Sequence, residues 1–154
     1  MNEIRRWLLG ALAPLLAIAC SDATGPGVSF DLAEARWMAE GPSHYQYVYD
    51  LSCECGVTGP VRLNVENGVV TAFTPLPGSF TAGGAPEPSD FPTIDDLFAR
   101  LRAEAEADAV QFDVEYDDDL GYPTRASVDV RAEIADDEYT FRVTDFQELE
   151  PLTE

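Results

Sequence analysis

The chain has 154 residues, and its 9 basic side chains, all arginine, face 29 Asp plus Glu, a formal charge of −20. Such a field opposes nucleic acid and anionic headgroups, which need basic residues to meet phosphate, so nucleic-acid binding is excluded. Aromatic and β-branched residues recur in clear periods, which argues against a disordered chain and for one domain with one core, residues 30–154.

Residues 1–20 read MNEIRRWLLGALAPLLAIAC. Arg5 and Arg6 make a basic start, and the apolar run Trp7–Ile18 is shorter than the roughly 20 residues a membrane-crossing helix needs. The pattern is that of an export signal. Its ending resembles a bacterial lipobox, in which cleavage precedes the cysteine and lipid is attached to it, although Ala17 stands where Leu is usual. The resemblance implies a lipoprotein signal peptide over 1–19, lipidation of Cys20, and a membrane partner reached through that lipid. The alternative is an ordinary secretory signal with an incidental cysteine. Each buried methylene contributes about 0.8 kcal/mol, so several acyl chains hold a domain that one would not. Ser21 replaces the Asp that signals inner-membrane retention. The expected location is therefore the cell envelope: the outer membrane if the source has two membranes, otherwise the outer face of the plasma membrane. Residues 20–29 follow as the lipidated cysteine and a flexible tether, with a root-mean-square length of roughly 15–18 Å.

Asp31–Glu40 predicts a short helix, with Asp31 as N-cap, Glu34 in the capping-box position and Gly41-Pro42 as its stop. HYQYVYDLSC alternates as a strand, placing Tyr45, Tyr47, Tyr49 and Leu51 on one face and His44, Gln46, Val48 and Asp50 on the other. In VRLNVENGVVTAF, Asn67-Gly68 supplies the two positive-φ residues of a hairpin, and counting outward pairs Val65 with Val70 and Leu63 with Ala72. Residues 75–92, rich in Pro and Gly, read as a long mobile loop. Thr93 caps a second helix with Asp96 three residues on, and Ile94, Leu97, Phe98 and Leu101 form its apolar stripe. Three strands end the chain, over 110–116, 124–134 and 139–146. Val110, Phe112, Val114 and Tyr116 alternate in the first, Ala126, Val128 and Val130 in the second, and Tyr139, Phe141 and Val143 in the third. The order α-βββ-α-βββ predicts an α+β fold, an antiparallel sheet of about six strands with helices packed on one face.

Cys53 and Cys55 share the parity of the tyrosines, so an unbroken strand turns both thiols to the apolar side. Asp50 and Glu54 flank them, where a reactive thiol wants a positive neighbour. Zinc wants about four ligands, and the single histidine, His44, has the wrong parity. Export favours a disulfide between Cys53 and Cys55. The span is tight: two extended residues separate Cα atoms by about 6.6–7.2 Å, against a preferred range of about 4.4–6.8 Å. A bend at Gly56 would be needed. Buried free thiols, or redox or metal chemistry, are the other readings. The acidic runs Asp117–Asp119 and Asp136–Glu138 offer oxygens for calcium, but without the D-x-D-x-D-G spacing they read as solvated turns at opposite ends of a meander. Asp117, Asp118 and Asp119 are weak metal candidates only. No nucleophile elbow, phosphate-binding Gly loop or Ser-His-Asp set occurs, so no catalytic residue and no cofactor is assigned.

Trp37, Tyr45 and Tyr47, Cys53-x-Cys55-Gly56, the Asn-Gly hairpin, the TIDDLF helix start and YDDDLGYPTRASVD (Tyr116–Asp129) occur in that order. Together they resemble a bacterial family of lipoproteins and secreted proteins, domain-of-unknown-function family 6174. The resemblance implies no activity or cofactor; it implies that Tyr122, Pro123 and Asp129 belong to a recurring structural block. Gly121 and Pro123 shape its turn, and Tyr122 covers the sheet end while its hydroxyl finds a partner. The function expected is a lipid-anchored envelope module that binds an envelope protein or ligand. A cation-binding (calcium) or thiol-linked accessory protein is second, and an enzyme third.

Overall fold

A computed structural model describes residues 26–53, 57–81, 85–131 and 137–150. Helix α1 (Pro26–Glu40) precedes strands β1 (His44–Cys53), β2 (Val57–Glu66), β3 (Val69–Pro75) and β4 (Phe80–Thr81). A 3-10 turn (Pro88–Asp90), helix α2 (Ile94–Glu106), and strands β5 (Gln111–Tyr116), β6 (Pro123–Asp129) and β7 (Tyr139–Glu148) complete the chain. The seven strands form an antiparallel sheet in the order β3-β2-β1-β7-β6-β5, with β4 paired to β2 off that path. The α+β class is therefore right. The strand count is one higher than expected, and the two triplets are joined through β1 and β7, the first and last strands of the chain.

Helix α1 starts earlier than its polar residues suggest. Pro26 at the first helical position sets φ and has no N–H to lose there. Residues 26–29, expected in the tether, are the first turn of the helix. Asp31 is consequently not its N-cap, and Glu34 does not close a capping box; both carboxylates instead face Arg102 of α2. The stop is as expected: the Gly41 N–H donates to the Trp37 carbonyl at 2.7 Å. Helix α2 matches its sequence pattern. Thr93 Oγ1 accepts from the Asp96 N–H, Asp96 reaches back to the Thr93 N–H, and Ile94, Leu97, Phe98 and Leu101 are buried.

One core cluster gathers the apolar residues of α1, α2 and one face of the sheet. Phe30 of α1 meets Phe98 of α2 edge-on at 5.8 Å, and Tyr45, Tyr47 and Tyr49 of central strand β1 lie beneath. The helices are not the whole cover. Residues 75–92, read as a mobile loop, contain β4 and the 3-10 turn, and bury Phe91 against Phe73 of β3 at 4.7 Å. The Tyr47 hydroxyl donates to the Pro92 carbonyl and ties this segment to the middle of the sheet.

β-bulges interrupt the ladder, and one of them corrects the register expected for the hairpin. Asn67 (φ 51) and Gly68 (φ 75) form the predicted hairpin turn, and Val65 pairs with Val70. An extra residue in β3 then makes Leu63 face Phe73, not Ala72, so the aromatic ring turns inward. In β7, a shift opposite Gln46–Val48 coincides with Asp145 in the left-handed region (φ 50). Without it Asp145 would point to the core; with it Phe146 does. Val110 precedes β5 and is exposed, contrary to the alternation read for that strand.

Candidate functional site

The residues singled out in the sequence separate into an architectural end and an open end of the molecule. Trp37, Tyr45 and Tyr122 converge with Phe146 at the first. Tyr122 stacks on Phe146 at 4.5 Å, Tyr45 stacks on the same ring at 5.3 Å, and Trp37 stands edge-on to all three. Trp37 Nε1 donates to Asp95 at 3.3 Å, and the Tyr45 hydroxyl accepts the Ile94 N–H at 3.1 Å. Gly121 (φ 81) lets the β5–β6 turn lie against the backbone of Ala33 in α1, and Pro123 is fully buried. Burial, then the Asp117 carboxylate and its hydrogen bond, push the Tyr122 hydroxyl up to about 12. Tyr122 packs between Trp37 and Phe146. Asp129 is remote from this group: it lies opposite Gln111 on the other face of the sheet, its Oδ1 buried and unbonded among the described residues.

Asp117, Asp118 and Asp119 shape a turn. Asp117 Oδ1 accepts the N–H groups of Asp119 and Leu120 at 3.1 and 2.7 Å, and the Asp118 carbonyl accepts from Arg36. At the opposite end of β6, Asp137 pairs with Arg131 at 3.1 Å. Among the described residues no three His, Cys, Asp or Glu side chains gather as a cation site. Cys53 ends β1 opposite Tyr139 of β7 and packs against the core cluster, which is the face its parity predicts. Cys20, Cys55 and Asp136 lie outside the described residues.

A concave site lies at the open end, under the segment that holds the 3-10 turn. It is a cleft of about 560 Å³ with a floor of Tyr49, Leu51, Val61, Phe91 and Leu97, and a rim of Ser89, Asp90, Asp96 and Arg100. Clefts of this size and make-up, an apolar floor with few polar groups, are the usual form of small-ligand sites. Four segments build it, β2 contributing Val61. Strand β1 supplies Tyr49 and Leu51 because tyrosine parity aims them at the helix side. Helix α2 supplies Leu97 from its buried stripe and Arg100 from the flank of that stripe. The 85–92 segment supplies the opposite wall.

The two rim carboxylates each have one oxygen engaged locally. Asp96 Oδ2 accepts from the Thr93 N–H and hydroxyl at 2.8 and 2.7 Å, and Asp90 Oδ2 accepts the Glu87 N–H at 2.8 Å. Arg100 stands one turn beyond Asp96 yet is not paired with it; its Cζ lies 3.6 Å from the centroid of the Tyr139 ring. Burial pushes the Tyr49 hydroxyl up to about 12 against the opposing pull of Arg100. Burial likewise raises Tyr139, with Arg100 again opposing. Both phenols therefore stay protonated at physiological pH and can donate. The sequence reading missed Arg100, because its proximity to Tyr139 depends on β7 lying beside β1.

Residues 29–148 match the family described as "Family of unknown function (DUF6174)", which covers most of the chain. The chain belongs to this family. The matched span runs from the first turns of α1 to the end of β7, so it takes in the aromatic end, the cleft and the bulged strands alike. Comparison with curated proteins and with solved structures gives no match. Membership thus agrees with the resemblance of the motifs and brings no activity with it. Among the described residues, no helix is long and apolar enough to cross a membrane.

Proposed function

We propose that the protein is a lipid-anchored binding module of the cell envelope, held through Cys20, that takes a small ligand in the cleft between β1, β2, α2 and the 85–92 segment. The observation that carries the binding reading is the cleft itself: apolar below, polar at the rim, with Arg100 unpaired to any described carboxylate. The anchor rests on the export signal and its AIAC ending. We take Cys53 and Cys55 as a disulfide, supported by the disulfide bonding of Cys53 and by the oxidising compartment that export implies. So small a ring adds only ~1.6 kcal/mol by the loop-entropy expression. Its use is local: it pins the end of β1 two residues beyond Leu51, which lines the cleft.

Mass spectrometry of the protein purified from its own envelopes tests these points together. The denatured protein should carry acyl chains on Cys20 and the mass of an oxidised cysteine pair. Under native conditions it should retain a small molecule that Ser89→Trp, a replacement on the exposed rim, displaces. An unacylated Cys20 would end the anchor reading, and retention unaffected by Ser89→Trp would end the cleft reading.

A further inference from the structure

Seven arginines are described, in a chain where acids outnumber bases by 29 to 9. Arg62, Arg102, Arg125 and Arg131 each pair with a carboxylate, and Arg36 donates to a backbone carbonyl. Among the described residues, only Arg100 and Arg142 have no such partner. Arg142 is exposed on the sheet, between Arg125 of β6 and Asp50 of β1 in the cross-strand register, and does not line the cleft. Arg100 stands over a cleft.

The position of Arg100 is informative because a simple alternative exists. Asp96 precedes it by four residues on α2, the spacing at which an acid and a base meet on a helix surface. The guanidinium instead lies over Tyr139 at 3.6 Å. Apart from a hydrogen bond with Tyr139, a guanidinium held on that aromatic face leaves in-plane N–H groups for a planar acceptor, which is how arginine binds carboxylate in a bidentate fashion. Tyr49, on the cleft floor, is a second donor close to the same charge.

The geometry points to a ligand class: an apolar body bearing one carboxylate, the carboxylate on Arg100 and the body on Tyr49, Leu51, Val61, Phe91 and Leu97. This rests on the cleft being the binding site. The single charge follows from the surroundings. Asp90 and Asp96 on the rim, and the field of a chain at −20, repel additional negative charge, so polyphosphates and polycarboxylates are selected against. The apolar floor accounts for the rest of the molecule.

Phenylbutyrate, phenylbutanol and phenylbutylammonium share one body and differ in charge. Equilibrium dialysis against the full chain in phosphatidylcholine nanodiscs, with empty nanodiscs as blank, reads the preference directly. Phenylbutyrate should bind about tenfold or more tightly than phenylbutanol, the weight of one charge-assisted contact. Arg100→Gln should remove that advantage, Arg100→Lys should keep part of it, and Ser89→Trp should weaken all three compounds. Arg100 is exposed, so Arg100→Gln should melt as the parent does; if it does not, the comparison of the three compounds on the parent protein decides alone. Equal binding of acid and alcohol, or preference for the ammonium, overturns the carboxylate assignment while leaving the cleft a binding site. No compound retained above the blank overturns both.

Discussion

Gly121 and Gly68 hold nearly the same backbone conformation, at φ +81 and +75, for different reasons. A Cβ on Gly68 would meet nothing within 4 Å, whereas one on Gly121 would run into the Ala33 carbonyl and approach Ala33 Cα to 3.2 Å. Gly68→Ala should therefore cost only the left-handed penalty, about 1 kcal/mol. Gly121→Ala adds a clash with helix backbone and should cost about 2–4 kcal/mol, measured by urea unfolding. Equal losses would show that α1 yields to the turn. The sequence marks both glycines as turn residues but does not separate them, because the Ala33 backbone comes from a segment far away along the chain.

Among the elements, α2 is the most legible, since its cap, acidic first turn and apolar stripe are all local. Thr93 is buried, bonded to Asp96 in three ways, and holds the helix start beneath the cleft wall. Thr93→Ala should lower stability by about 1–2 kcal/mol in urea or thermal unfolding, and Thr93→Ser should restore most of it. No loss on Thr93→Ala would mean that the tyrosine contacts alone fix the helix start. The strands were legible in period but not throughout in register. A bulge adds one residue and reverses every later side chain, and no composition signal marks it. That is why alternation alone does not turn Phe73 and Phe146 inward, although both are partly buried against the core. The 75–92 segment misled for a related reason: Pro and Gly exclude regular helix and sheet, but they do not exclude a tight cover anchored by Phe91.

Across the whole molecule the buried phenols act together. Burial raises Tyr45, Tyr47, Tyr49, Tyr116, Tyr122 and Tyr139, with Tyr49 and Tyr122 reaching about 12. In the unfolded chain tyrosine ionises near ~10, so above that pH the unfolded state loses protons first. The contribution to stability is full below about pH 10 and is lost as pH rises through about 12. Tyrosinate absorbance should rise in one cooperative step together with loss of near-ultraviolet circular dichroism. Gradual titration near the ordinary tyrosine value with the dichroism intact would refute this coupling.

What the chain by itself determined is whatever acts over a few residues: the Asn67-Gly68 turn, the capped α2 stripe, and the tyrosine parity that sends Cys53 inward. Even the class of sheet follows, because short turns between alternating strands leave little but antiparallel pairing. Tertiary structure decided the rest. Pairing β1 with β7 joins the two halves of the chain and brings Tyr139 beside α2, where Arg100 leaves Asp96 for its ring. The bulges, the cover by residues 85–92 and the cleft all arise from contacts between segments distant in sequence. Local periodicity carries no information about those contacts, since it reports which face of an element is apolar and not which element will cover it.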